Sequence, residues 1–107
     1  MSIKINAKNI ELNRKERSLV VRLSEEYNKK IKRKIKNNFD IIIHIKAHEK
    51  EGSKKKFNIH IDVKSVISFG ATADDWDLGK AIHKSMEKIL NEIEHKLHSS
   101  NQRPRVR

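Results

Sequence analysis

The sequence predicts an α+β domain with the element order β-α-β-β-β-α, a four-stranded sheet carrying two helices on one of its faces. Two stretches, 13–36 and 74–98, repeat apolar residues at three- and four-residue intervals, the period of a helix buried along one stripe. The remaining stretches alternate apolar and polar residues, the period of a strand buried on one side. With few exceptions their apolar residues are odd-numbered, so the sheet has one apolar face, and both helices are needed there to bury it.

Ile3, Ile5 and Ala7 alternate with Lys4 and Asn6 in a short first strand, which turns over Asn9 to Asn13. Asn13 reads as a helix cap, its side chain placed for the early helix amides, with Glu16 three residues on to complete a capping box. Leu19, Leu23, Tyr27, Ile31 and Ile35, helped by Val20, form the apolar stripe of a helix of about six turns. The segment from Phe39 to Val63 reads as a hairpin. Ile41, Ile43, Ile45 and Ala47 share a face with Phe57, Ile59, Ile61 and Val63, and Gly52 sits near the middle of the polar turn. Symmetric pairing about Gly52 sets Ile45 against Ile59, Ile43 against Ile61 and His44 against His60.

Ile67, Phe69, Ala71 and Ala73 continue the parity in a fourth strand, after a tight connection at Lys64 to Val66. A second helix is expected from Asp74 or Asp75, either able to cap it, with Asp77 adding to an acidic cluster that suits the helix dipole and Trp76 just inside the helix. Its stripe is Leu78, Ile82, Met86, Ile89, Ile93 and Leu97, supported by Ala81 and Leu90. Residues 1–98 then form a single domain, and 99–107, without periodicity, read as a flexible basic tail.

Charge is polarised along this chain of 107 residues, whose formal net charge is +11. Residues 1–40 carry 12 basic against 5 acidic side chains, whereas 74–98 carry 4 against 6. Six of the eight residues from Lys29 to Lys36 are basic: Lys29, Lys30, Lys32, Arg33, Lys34 and Lys36, at the end of the first helix. Cations offset the dipole of a helix C-terminus, which accounts for some of them but hardly for six. Charge concentrated in this way suits a polyanion, and nucleic acid is the first candidate. Lys54, Lys55 and Lys56 at the hairpin turn, Lys80, Lys84 and Lys88 on the second helix, and Arg103, Arg105 and Arg107 in the tail complete the candidate RNA-binding set. The acidic start of the second helix makes its share smaller.

Other classes are disfavoured. There is no cysteine, hence no disulfide framework or thiolate metal site. No apolar run approaches the roughly 18 residues of a membrane span, and the N-terminus lacks the apolar segment of a signal peptide, so a cytoplasmic protein is expected. Ser65, Ser68 and Ser85 have no base at a motif spacing, and no glycine-rich phosphate loop is present, which argues against an enzyme. Of the six histidines, pattern brings together only pairs, His44 with His60 and His95 with His98, and zinc catalysis needs three ligands. No metal or cofactor is expected. A sheet that reads single-stranded RNA needs aromatic rings on its open face, whereas Phe57 and Phe69 have buried-face parity. The sandwich resembles a double-stranded RNA-binding domain, yet such domains use a basic start of the last helix, where this chain has Asp74, Asp75 and Asp77. What remains is recognition of a structured RNA by shape and phosphate contacts.

Residues 3–12, Ile-Lys-Ile-Asn-Ala-Lys-Asn-Ile-Glu-Leu, are similar to the first strand and turn of ribosome hibernation-promoting factors, a family that includes the ribosome-associated inhibitor and sigma-54 modulation proteins. Residues 71–82, Ala-Thr-Ala-Asp-Asp-Trp-Asp-Leu-Gly-Lys-Ala-Ile, resemble that family's small-residue strand end, acidic turn and start of a long final helix. The resemblance covers residues 1–98 and implies a short form. It implies a non-catalytic, monomeric factor that binds the small ribosomal subunit between head and body and blocks the channel of messenger and transfer RNA under stress. On this chain the implied contacts are the first-helix cations and Lys54 to Lys56. The alternatives are a general structured-RNA binder and a protein-interaction module using the open sheet face, with Ile42 or Trp76 as anchor.

Overall fold

The period-two alternation folds into a single four-stranded sheet and the helical stripes cover its odd-numbered face. The computed structural model describes residues 2–8, 12–49 and 55–101, with β1 (Ser2–Lys8), α1 (Arg14–Lys34), β2 (Asp40–Glu49), β3 (Lys55–Lys64), β4 (Ser68–Asp75) and α2 (Leu78–Asn101). The expected α+β order is the one found. The strands lie in the order β1-β2-β3-β4. β1 runs parallel to β2 because α1 carries the chain back across the sheet, while β2–β3 and β3–β4 are antiparallel.

Register follows the apolar pattern. Ile45 pairs with Ile59, Ile43 with Ile61 and His44 with His60, as symmetry about Gly52 requires, although Gly52 itself lies outside the described residues. Ile5, Ile43, Ile61 and Ala71 therefore stand in one rung under the helices. A one-residue slip would turn each of these onto the open face. Ile41, Ile43, Ile45, Ile59, Ile61 and Val63 are fully buried against Val20 and Ile31 of α1 and Ile82, Met86, Ile89 and Ile93 of α2.

α1 begins as expected. The Asn13 Oδ1 accepts the Glu16 amide at 2.8 Å and the Glu16 Oε1 accepts the Asn13 amide at 2.9 Å, a complete capping box. It ends at Lys34, with Ile35 in extended backbone while its amide still reaches the Ile31 carbonyl. Lys36 thus lies beyond the helix, not on it. The buried hydroxyls of Ser24 and Ser85 are satisfied within their own helices, by the carbonyls of Val20 and of Ala81 and Ile82.

The second helix departs from expectation at its start. Asp74 and Asp75 belong to β4, because β3–β4 pairing continues to Phe57 opposite Asp75. The cap is Asp77, whose Oδ1 accepts the Lys80 amide at 3.0 Å and whose carbonyl accepts the Ala81 amide. Trp76 accordingly precedes the helix. Ile67 lies in the bend before β4, and α2 continues past His98 to Asn101.

α2 also closes an edge of the sheet. β4 is an outer strand, and its even-numbered residues turn backbone groups away from β3. Lys84 Nζ donates to the Asp74 carbonyl at 3.3 Å, Lys88 Nζ to that of Thr72 at 2.8 Å and Lys96 Nζ to that of Ser68 at 3.0 Å, while the Gly70 amide donates to Glu92 Oε1 at 3.0 Å. With these four backbone groups taken by side chains of its own chain, the edge is a poorer template for a foreign strand.

Candidate nucleic-acid interface

The helical period sorts the first-helix cations into two groups. Val20, Leu23, Tyr27 and Ile31 face the core, which puts Lys29, Lys32 and Arg33 on the exposed outer surface. Lys15 and Arg22, also exposed, precede Lys29 at intervals of seven. Lys15, Arg22, Lys29 and Arg33 form one ridge about 27 Å long at the helical rise. Arg14, Lys15, Ser18, Leu19 and Arg22 line an open depression of about 510 Å³ beside the N-terminal part of this ridge. Lys15 and Arg22 are absent from the set expected from sequence, because attention to the local cluster passes over them. Their spacing of two turns from Lys29 was the available signal.

Lys30 and Lys34 are engaged within the protein. Lys30 Nζ lies over the Tyr27 ring, 4.8 Å from its centre, and Lys34 pairs with Glu94 of α2. Tyr27 itself joins the helices. Its hydroxyl lies 2.9 Å from Glu87 Oε2 and 2.8 Å from His83 Nδ1. A phenol carries one proton, so it donates to Glu87 and accepts from His83, which fixes a proton on the Nδ1 of that imidazole. Burial, then the bond and negative charge of Glu87, push the Tyr27 pKa up to about 12.

The second-helix cations differ in the same way. Lys80 is exposed, whereas Lys84 and Lys88 are committed to β4. Lys84 also pairs with Asp75 at 2.8 Å. Its hydrogen bond, followed by that of the Asp77 amide, holds the Asp75 carboxyl below the usual carboxylate range. On the hairpin, Lys55 is exposed and Lys56 is half-buried, with its Nζ 5.7 Å from the centre of the Trp76 ring. Lys54, Arg103, Arg105 and Arg107 lie outside the described residues.

The even-numbered face of the sheet stays open and is polar apart from the half-buried Ile42. His44 and His60 meet there across β2 and β3, their rings 5.8 Å apart. Asp62 lies between them, 3.0 Å from His60 Nε2 and 3.4 Å from His44 Nε2, and His60 Nδ1 is 2.7 Å from Thr72 Oγ1. Among the described residues no group of three or more His, Asp or Glu is arranged to hold a metal ion. Among the described residues, too, the phenylalanines Phe39, Phe57 and Phe69 are all buried, so none serves this face as a stacking ring. No described helix is long and apolar enough to cross a membrane.

Solved structures share this architecture. The N-terminal domain of Thermus thermophilus Protein Y superposes with a TM-score of 0.63, covering 90% of this chain and 99% of its own, at 18% sequence identity. A ribosomal subunit interface protein from Coxiella burnetii gives a TM-score of 0.65, covering 92% of this chain and 100% of its own, at 17% identity. This chain has their fold. No protein-family model matches the sequence, and no curated protein does. The fold implied by the resemblance at residues 3–12 and 71–82 is therefore present.

Proposed function

We propose that the protein is a non-catalytic, cytoplasmic ribosome-binding factor, monomeric when free, that docks on the small subunit through the outer face of α1. The observation that carries this reading is the basic ridge of Lys15, Arg22, Lys29 and Arg33, widened by Lys32, on a fold shared with a ribosomal subunit interface protein. A rigid helix that presents cations at one- and two-turn spacing positions itself on phosphates without reading base edges. The folded domain then occupies the channel of messenger and transfer RNA and inhibits translation by occupancy, keeping idle ribosomes silent under stress.

The decisive experiment is co-sedimentation with separated ribosomal subunits over a salt series, with and without messenger and transfer RNA. Binding is expected to the small subunit alone, to weaken steeply with salt and to be competed by those ligands. The variant to compare is Lys29→Glu/Lys32→Glu/Arg33→Glu, because Lys30 packs on the Tyr27 ring of its own helix and Lys34 pairs with Glu94 of α2, and their loss would confuse folding with binding. An affinity drop of about 100-fold or more in the folded triple variant is expected from removing and reversing three phosphate contacts. Unchanged affinity would sink the proposed surface.

A further inference from the structure

We infer that Trp76 is a stacking platform for an unpaired nucleobase, with Lys55 and Lys56 holding the adjoining phosphate. The site uses residues other than those of the α1 ridge and rests on the nucleic-acid reading above. Trp76 is 49% exposed, whereas Tyr27, Phe39, Phe57 and Phe69 are all 7% exposed or less. Among the described residues, the other large exposed apolar ones are Val21 on α1 and Val66 and Ile67 in the bend at the opposite end of β4. Trp76 is thus an isolated ring among charges, not the centre of an apolar patch, which disfavours docking of an apolar protein surface.

The backbone that carries the ring is tied down on both sides. The Asp77 amide donates to Asp75 Oδ1 at 3.0 Å, Asp77 caps α2, and Lys84 ties down both the Asp75 carboxylate and the Asp74 carbonyl. The backbone on either side of residue 76 is therefore fixed before any ligand arrives, which lowers the entropy lost on binding. Pairing of Phe57 with Asp75 sets Lys56 beside the indole, its Nζ over one ring face. A base stacked on the indole leaves its phosphate to Lys56 and its exposed neighbour Lys55. The flanking carboxylates are already engaged: Asp74 by Asn58, Asp75 by Lys84 and Asp77 by the Lys80 amide. With Lys55, Lys56, Lys80 and Lys84 around Asp74, Asp75 and Asp77, the surroundings do not repel a single phosphate.

Trp76 is the only tryptophan of the chain, so its fluorescence reports on this site alone. The full chain is titrated with single-stranded oligouridylate and, as a polyanion without bases, with heparin. Stacking predicts saturable quenching of the native chain by oligouridylate; titration calorimetry, which needs no tryptophan, should show binding weakened about tenfold in Trp76→Leu and largely kept in Trp76→Phe, with heparin affinity equal in all three. Circular dichroism of each variant confirms the fold. Oligouridylate affinity unchanged in Trp76→Leu would overturn the inference, as would equal quenching by heparin. A response to RNA-free ribosomal proteins with none to oligouridylate would overturn it in favour of a protein anchor. Absence of quenching together with retained, salt-sensitive small-subunit binding removes the stacking site alone and leaves the proposed function standing.

Discussion

Tyr27 carries a proton that the fold protects. Because burial and Glu87 raise its pKa to about 12, from an ordinary value near 10, the contribution of its neutral form is whole below pH 10 and is lost as pH climbs through 12. It is the only tyrosine, so a spectrophotometric titration reads it directly. The expected midpoint is near pH 12, and Tyr27→Phe should abolish the transition and lower stability by about 1 kcal/mol, since His83 and Glu87 are exposed enough to rehydrate. Asp75 behaves oppositely. Its lowered pKa adds stability above its ordinary value of 3.8 that disappears as pH falls through the folded value, so Asp75→Asn should flatten the acid limb of a urea-midpoint profile. Asn13→Ala should cost about 1 kcal/mol in the same denaturation assay, with both capping-box bonds lost. The capping box was legible in the sequence because its partners are three residues apart. Tyr27 was legible only as a core residue, since its partners stand 56 and 60 residues away and depend on how two helices meet.

At the scale of elements, lysines of similar appearance do different work. The triple reversal on α1 should keep the fold and cost only the modest dipole stabilisation of two last-turn cations, while weakening ribosome binding about 100-fold. Lys84→Met/Lys88→Met should do the reverse, lowering the melting temperature by about 4–8 °C for each kcal/mol lost and promoting self-association of the uncovered β4 edge, visible by analytical ultracentrifugation. Strand parity and the hairpin register could be read from Ile41 to Val63 because a slip would expose the whole row. The start of α2 could not. Three aspartates within four residues all suit a cap, and only pairing of Asp75 with Phe57 decides that two of them are strand. The roles of Lys84 and Lys88 were hidden for a related reason: a lysine at helical spacing looks the same whether it faces solvent or a neighbouring carbonyl.

For the whole molecule, one apolar sheet face shared by two helices makes the core indivisible. Ile43→Ala, in the rung from Ile5 to Ala71, should cost about 2–5 kcal/mol, a large part of the stability of a small domain, and appear as a lower urea midpoint with a single transition. Parity announced that both helices lie on one face but was silent on which strands are neighbours, so the place of β1 beside β2 came from the structure alone. The contact between α2 and β4 also limits how wide this molecule can grow. Four residues of helix advance about 6 Å and two residues of strand about 6.8 Å, so the side chains from Lys84 to Lys96 and the backbone groups from Asp74 to Ser68 act as two rulers of slightly different pitch. Over three steps they drift apart by about 2 Å, which a lysine can span; over twice that length they would fall out of step. The eight residues of β4 are about as many as this helix can match, and a longer final strand would leave rungs that no side chain could reach.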